Sequence, residues 1–232
     1  MLSLLRQAAR LSLPPLVRCS SSSSSASLPS RVYPGLFYHP SPLSPDSYSL
    51  SYLPSPPPSL AFSPTTLGLV HPLPSSSSSS SSSSFDKPPE GQQTEDDGLP
   101  PITPRNFQEN PLFLRLVQDV LQANVAGDLW LQTQAKSMEG NDTFIHISDL
   151  RSPADANRQP HPQDIIGSVL VQKGQIEPES FEPNKAAYRL VSEDGLMRLP
   201  EGLQGKLVEA CRRVREVEVE VKREKEEAEG GQ

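Results

Sequence analysis

The spacing of apolar residues predicts an amphipathic helix near the middle of the chain. Its apolar positions are Leu112, Phe113, Leu116, Val117, Val120 and Leu121. Steps of three and four place such side chains on one helix face. Asn110 followed by Pro111 is typical of a helix start, with an N-cap and a proline at the first helical position. We therefore predict a helix over residues 111–123.

Beyond this helix, the apolar residues form short runs that are typical of strands. We predict four strands, at residues 129–135, 143–148, 165–172 and 187–192. A turn at residues 140–142 would join the first two strands as a hairpin. A polar loop over residues 149–164 would then lead to the third strand.

A helical pattern returns near the C-terminus and predicts a charged helix over residues 201–228. Its apolar seam consists of Leu203, Leu207, Ala210, Val214, Val217 and Val221. These residues follow heptad spacing for about two and a half heptads, which is short for a coiled coil. The part of the helix beyond Val214 would extend past the core of so small a domain. We therefore predict that Val214, Val217 and Val221 contact a protein partner; the alternative is a frayed charged tail.

The order of helix, about four strands and helix is typical of an α+β fold with one small sheet. We assign the small α+β domain to residues 105–200, followed by the C-terminal helix.

Serine and proline dominate the chain before this domain. Nineteen of the 26 prolines precede Arg105, and serine fills every position from 75 to 84. Such a composition offers little apolar surface to offset the entropy of ordering. We therefore predict that residues 32–104 are a disordered linker.

The N-terminal stretch is basic and free of acids until Asp46. Its short Leu/Ala/Arg segment runs into serine, which is typical of a mitochondrial transit peptide. We predict that residues 1–31 engage the mitochondrial import machinery and direct the protein to mitochondria, most simply to the matrix. A secretory signal fits poorly because Arg6 and Arg10 interrupt the apolar run. The remaining alternative is a disordered basic N-terminus of a cytosolic protein.

Charge divides the chain near residue 85. Residues 86–232 carry 17 basic and 27 acidic residues, a net charge of −10. Nucleic-acid affinity depends on basic residues that neutralise phosphates, so we predict no nucleic-acid partner. No run reaches 18 apolar residues, so we predict no membrane span.

No short motif for binding phosphate, dinucleotide or metal is present, and we predict no cofactor and no metal site. The polar loop 149–164 is the candidate chemical site. His146, Asp149 and His161 could perform acid–base chemistry, and Arg151 and Arg158 could hold a carboxylate or phosphate. The alternative is a solvated loop whose arginines pair with its own aspartates.

These observations favour a non-catalytic mitochondrial accessory protein that binds another protein through its C-terminal helix. One alternative is a small-molecule enzyme or binder that uses the loop 149–164. Another is a cytosolic regulatory protein that acts through its disordered linker.

Overall fold

The computed structural model describes residues 27–41, 44, 46–58, 63–73, 98–138, 140, 142–151 and 160–230. Within them the chain combines α-helices with antiparallel sheets, which confirms the α+β fold class. The helices are α1 (Pro111–Asn124), α2 (Leu129–Ser137) and α3 (Glu201–Gly230). The first sheet contains β1 (Leu28–Pro29), β2 (Phe37–Pro40), β3 (Tyr48–Ser51), β4 (Thr66–Val70) and β5 (Phe107–Glu109). The second contains β6 (Thr143–Ser148), β7 (Ile165–Gln172) and β8 (Gln175–Pro183), and β9 (Val191–Ser192) pairs with β10 (Gly195–Leu196).

The first sheet lies largely in the stretch that we predicted to be a disordered linker. Strands β2, β3 and β4 fall inside residues 32–104, and Leu36, Leu50 and Leu67 are fully buried. The linker prediction is therefore wrong for these strands. The prediction used the average composition of the whole stretch. It therefore overlooked the few apolar residues that the sheet buries. The serine run 75–84 lies outside the described residues.

Serine is tolerated in this sheet because its hydroxyl finds partners inside the fold. Ser49, which is fully buried, donates to the carbonyl of His39 at 3.4 Å, and Ser51 Oγ accepts from the amide of Leu53 at 3.1 Å. Buried polar groups that are hydrogen-bonded in this way carry little penalty. A serine-rich sequence can therefore fill the interior of a sheet.

The sheet begins earlier than the predicted end of the transit peptide. Leu28 pairs with Tyr38, and Pro29 pairs with Phe37, in an antiparallel register. Residues 27–31 therefore belong to the described fold, although we had assigned them to the segment 1–31. Residues 1–26 lie outside the described residues.

Helix α1 forms where its apolar spacing predicted it. The side chain of Asn110 accepts from the amide of Leu112 at 3.0 Å, which confirms the N-cap. The same side chain donates to the carbonyls of Ser63 and Thr66 at 2.9 and 2.6 Å. The helix start is thus fastened to the first sheet, and its apolar face enters the core.

The predicted strand 129–135 is instead helix α2, so the predicted hairpin does not form. The side chain of Asp128 accepts from the amide of Leu131 at 3.0 Å and caps this helix. Leu131 and Ala135, four residues apart, are buried, which is helical spacing. Asp128 before the apolar run was the signal that indicated a helix.

The strands predicted at 143–148 and 165–172 are present and pair with each other as β6 and β7. Strand β8, which we did not predict, follows β7 through a two-residue turn. Lys173 and Gly174 have φ angles of +51° and +74° in this turn, a left-handed geometry that favours glycine. The same glycine marked the end of β7 in the sequence and signalled a hairpin.

Only the end of the predicted strand 187–192 is extended and paired, as β9. The preceding backbone also bonds to side chains, beside single backbone bonds to Gln163 and Met197. The amide of Leu190 donates to Glu109 Oε2 at 2.7 Å, and the carbonyls of Arg189 and Leu190 accept from Arg151. These side-chain partners replace the ladder that a strand would need.

Helix α3 is present over the predicted range, but its buried row differs from the heptad seam. Leu203, Leu207, Cys211 and Arg215 are buried at intervals of four residues. The seam shares only its first two members with this row. Val217, farther along the seam, is 61% exposed. The domain therefore covers only the first half of the helix.

Candidate functional site

The described part of the loop 149–164 enters the protein interior. Asp149 and Asp164 are buried, and the side chain of Arg151 is 1% exposed. Arg151 Nε lies 2.8 Å from Asp164 Oδ1 and 3.5 Å from Asp149 Oδ2. Together with Tyr188, whose ring lies 5.6 Å from the guanidinium carbon, these residues form what we call the Arg151 cluster.

Every N–H group of the Arg151 guanidinium is used inside the protein. Nε donates to Asp164, and the two terminal nitrogens donate to the carbonyls of Leu190, Gly195, Gln163 and Arg189 at 3.2, 3.3, 2.9 and 2.7 Å. A guanidinium has five N–H donors, so none is left for a ligand. Arg151 therefore ties the loop to the segment that precedes α3.

Asp149 is held by the protein in the same way. Its Oδ1 accepts from the amides of Arg151 and Arg198 at 2.9 and 2.8 Å, and its Oδ2 accepts from the hydroxyl of Tyr188 at 3.1 Å. Burial raises the pKa of Asp149 to about 6, although Arg151 and these hydrogen bonds act in the opposite direction. Asp164 Oδ2 is buried and has no partner among the described residues.

Two buried tyrosines extend the Arg151 cluster towards the first sheet. Burial raises the pKa of both Tyr188 and Tyr52 above the ordinary value of a phenol. Tyr52 follows β3 and is hydrogen-bonded to Gln204 of α3. The cluster thus joins the first sheet, the loop and the C-terminal helix.

The two histidines that we considered for acid–base chemistry lie outside this cluster. His146 is exposed, and its Nδ1 lies 2.8 Å from Ser168 Oγ, its cross-strand neighbour. Ile145 and Ile147 are buried on the other face of the strand. His161 is exposed at the start of a short 3-10 turn, 3.5 Å from the amide of Gln163. Asp149 is thus buried while both histidines face solvent, and Arg158 lies outside the described residues.

A second buried polar cluster, which the sequence analysis missed, surrounds Arg215 of α3. Arg215 donates to Thr65 Oγ1 and to the carbonyl of Ser55 at 2.7 Å, and its Nε lies 3.5 Å from Glu218 Oε2. Ser63 Oγ donates to the same carboxylate oxygen at 2.8 Å. We call these residues the Arg215 cluster. A charged residue on the buried row of a helix was the signal for such a partner set.

His39 of β2 is also buried, at 1% exposure. Its Nε2 lies 3.1 Å from the carbonyl of Leu53, and its Nδ1 lies 2.8 Å from Ser27 Oγ. The carbonyl can only accept, so Nε2 carries the proton and Nδ1 accepts from the serine. Burial, with a smaller contribution from the charge of Arg215, lowers the pKa of His39 to about 4. His39 is therefore neutral near pH 7.

Cys211 is the described cysteine, and it is fully buried. Burial raises the pKa of its thiol to about 12. Nucleophilic cysteines need an accessible thiolate, whereas Cys211 is a buried thiol. Cys211 therefore packs in the core as an apolar residue.

The second half of α3 exposes several apolar side chains along the helix. Val217, Val219 and Val221 are 61, 53 and 42% exposed, and Val214 is half-buried. Residues 216–229 carry seven acidic and three basic side chains. Val214, Val217 and Val221 share one side of the helix, which we call the valine face, whereas Val219 lies about 200° around the axis from Val217.

A shallow groove of about 280 Å³ between α1 and α3 adjoins this face. Val120 and Ala123 of α1 and Ala210 of α3 supply its apolar lining. On its rim, Glu209 forms ion pairs with Lys206 and Arg213. The charges of the rim are thus already paired, and no catalytic grouping lines the groove.

Within the described part of the chain, no group of three or more His, Cys, Asp or Glu residues could hold a metal ion. None of the helices there is both long and apolar enough to cross a bilayer.

The fold and these sites define an α+β module stabilised by two buried ionic clusters, with a helix that extends beyond its own core. No protein-family model, curated protein or solved structure matches the chain. Any functional conclusion therefore depends on the geometry of the chain itself.

Proposed function

We propose that this protein is a non-catalytic mitochondrial accessory module that binds another protein through the valine face of α3. The observation that carries the proposal is the exposure of this face. Val217 is 61% exposed and Val221 is 42% exposed, on a helix that continues to Gly230. Branched apolar side chains repeated along one helix face are typical of helices that dock against a partner.

The geometry of the loop argues against the enzyme alternative. An arginine that binds a substrate must keep free donors, and those of Arg151 are all used within the protein. An acid–base pair needs two groups within hydrogen-bond reach, yet Asp149 is buried while His146 is exposed. The Arg151 cluster is better explained as a support that fixes the segment before α3.

The described part of the linker also favours the binding module over a regulatory linker. Tyr38 and Tyr52 are aromatic residues of the predicted linker, and both are buried in the core. A side chain that packs inside its own domain cannot dock into the groove of a partner without unfolding. Among the described residues, the apolar surface open to a partner therefore lies on the folded module.

Mitochondrial location rests on residues 1–31, which contain four arginines and no acid. Import into isolated mitochondria tests it. The labelled full chain should become protected from added protease only when the membrane potential is present. A chain that stays protease-sensitive under both conditions would refute the location.

The contact surface can be tested with matched charge substitutions in the tagged full chain. Val217→Glu and Val221→Glu should each remove partners that are cross-linked and co-purified from native cells. Val219→Glu places the same change on the opposite side of the helix at similar exposure, 53%. It should retain those partners. All three variants should unfold at the temperature of the wild type, because these side chains are exposed. Equal recovery of partners with all three would contradict the proposed surface.

A further inference from the structure

We infer that this protein forms a two-fold symmetric dimer in which strand β6 of one copy pairs with β6 of the other. The surface is separate from the valine face, so the inference does not depend on the proposed function. It follows from three features of β6: its position at the edge of the second sheet, its lack of the residues that usually block pairing, and a sequence that is complementary to itself.

Strand β6 is the outer strand of the second sheet. The strand order is β6, β7, β8, so β6 is hydrogen-bonded to β7 along one side only. Among the described residues, no backbone hydrogen bond joins its other side to a further element. Alternate residues of such a strand direct their N–H and C=O groups outward, where another strand can bind them.

The other described edge strands of the two larger sheets have features that block pairing. Strand β8 contains Pro178 and Pro183 and exposes three glutamates. Strand β1 has two residues, one of them Pro29, and β5 has three residues. Short strands, proline and charge are the means by which sheet edges avoid pairing. Strand β6 has six residues without proline, lysine, arginine or acid, so its edge is open to a further strand.

The regular part of β6 is complementary to itself in an antiparallel arrangement. A register shift separates Ile147 from Ser148, so the regular edge runs from Thr143 to Ile147 and its midpoint is Ile145. A two-fold axis through Ile145, perpendicular to the sheet, sets Phe144 opposite His146 of the second copy. Directly opposite residues lie on the same face of an antiparallel sheet. The buried faces of the two copies therefore stay on one side of the joined sheet.

The outer face of β6 supplies the side-chain contact of this pairing. Phe144 is 50% exposed, and its cross-strand neighbour on β7 is Leu170. In the dimer, the ring of Phe144 lies between Leu170 of its own chain and His146 of the second copy, and the symmetry repeats this contact. Aromatic cross-strand pairs stabilise antiparallel sheets. The two free β6 edges are both used, so assembly stops at two copies.

Sedimentation velocity of the full chain, over a range of micromolar concentrations, tests the inference. We expect a species with twice the mass of one chain. A chain that stays monomeric throughout, or one that grows beyond two copies, would overturn the inference.

Charge substitutions on the outer face of β6 test which edge pairs. A chain with Phe144→Lys and His146→Lys sets like charges opposite each other and should be monomeric, and so should a chain with Phe144→Glu and His146→Glu. An equimolar mixture of the two chains should recover the dimer, because every lysine then faces a glutamate. Recovery also shows that both variants fold. A mixture that stays monomeric, or separate variants that remain dimeric, would contradict the pairing.

Two variants in α3 serve as controls for the same measurement. Val219→Lys introduces the same charge at an apolar site of similar exposure, 53%, on a different element. Val217→Glu changes the valine face. Both variants should remain dimeric, because neither position is in the second sheet. Loss of the dimer in either variant would show that α3 holds the copies together, and this would overturn the inference.

Discussion

Protonation of His39 should make the stability of this protein fall as the solution becomes acidic. The imidazole is neutral in the folded state because it is buried and close to Arg215, and its pKa is lowered from 6.5 to about 4. In the unfolded chain it regains its ordinary pKa. Between these two values the unfolded state binds a proton that the folded state does not, so stability is lost as pH falls through this window.

The magnitude follows from the difference of about 2.5 pKa units. Each unit corresponds to about 1.4 kcal/mol. Linkage then predicts that the contribution of His39 to the free energy of unfolding falls by about 2 kcal/mol between pH 7 and pH 5, and by about 3 kcal/mol by pH 4. Above pH 7 both states are neutral, so His39 adds no further pH dependence.

The assay is urea unfolding of the full chain at several pH values from 4 to 7.5, with the wild type compared against His39→Gln. The glutamine amide can still donate towards the carbonyl of Leu53 but does not titrate. The difference between the two curves isolates His39, because all other groups contribute equally to both proteins.

Parallel curves for the wild type and His39→Gln would refute this reasoning. They would mean that His39 protonates as easily in the folded protein as in the unfolded chain. The burial of β2 in the first sheet would then be wrong as well, because a buried imidazole next to a guanidinium cannot accept a proton without a penalty.

The remaining predictions concern the two clusters and the first sheet. Burial raises the pKa of Asp149 from 3.8 to about 6, so the contribution of this group to the free energy of unfolding should fall by about 3 kcal/mol as pH rises through this window, opposite in sign to the contribution of His39. The difference between the urea titrations of the wild type and of Asp149→Asn should show this contribution. Leu50→Ala should reduce the free energy of unfolding by about 2–5 kcal/mol, whereas Leu73→Ala, at a site 44% exposed, should change it little. Equal effects would contradict the burial of Leu50 in the first sheet. Arg151→Met should lower the free energy of unfolding by about 3–5 kcal/mol, because it leaves Asp164 and four carbonyls buried without their hydrogen-bond donor. Arg213→Met, with a side chain 74% exposed, should leave the free energy of unfolding within about 0.5 kcal/mol of the wild type.

Local patterns in the sequence predicted the elements whose apolar spacing matches their burial. Helix α1 is the clearest example, because its N-cap at Asn110 and its apolar steps lie within a few residues of one another. Strand β6 buries Ile145 and Ile147 on one face, and β7 is a short apolar run, which are both typical of strands. The range of α3 was also predicted from helical spacing, although only Leu203 and Leu207 of the predicted seam belong to its buried row.

The errors arose where a local signal was outweighed or overlooked. The run from Leu129 to Ala135 has apolar residues that fit either a strand or a helix, and the cap at Asp128 determines which one forms. The first sheet was missed because serine and proline dominate its composition. Its strands obtain their stability from pairing partners far along the chain, such as β5 for β4.

The candidate site residues also show what the sequence could predict and what only the fold decided. Sequence placed Arg151 in a polar loop, where it could equally bind a ligand or pair with neighbouring aspartates. Only the folded chain brings the carbonyls of Gly195 and Arg189 to its guanidinium and uses all of its donors. The partners of Arg215 are equally remote, since Thr65 lies 150 positions away in the chain.

By itself, the sequence determined the α+β class, the positions of α1, β6, β7 and α3, and the basic, acid-free N-terminus. Each of these features depends on the spacing or composition of residues within a short stretch. The tertiary structure decided which serine-rich segments form a sheet, which face of α3 is buried, and that Arg151 and Asp149 stabilise the fold. The physical reason is that burial and hydrogen-bond saturation depend on residues brought together from distant parts of the chain.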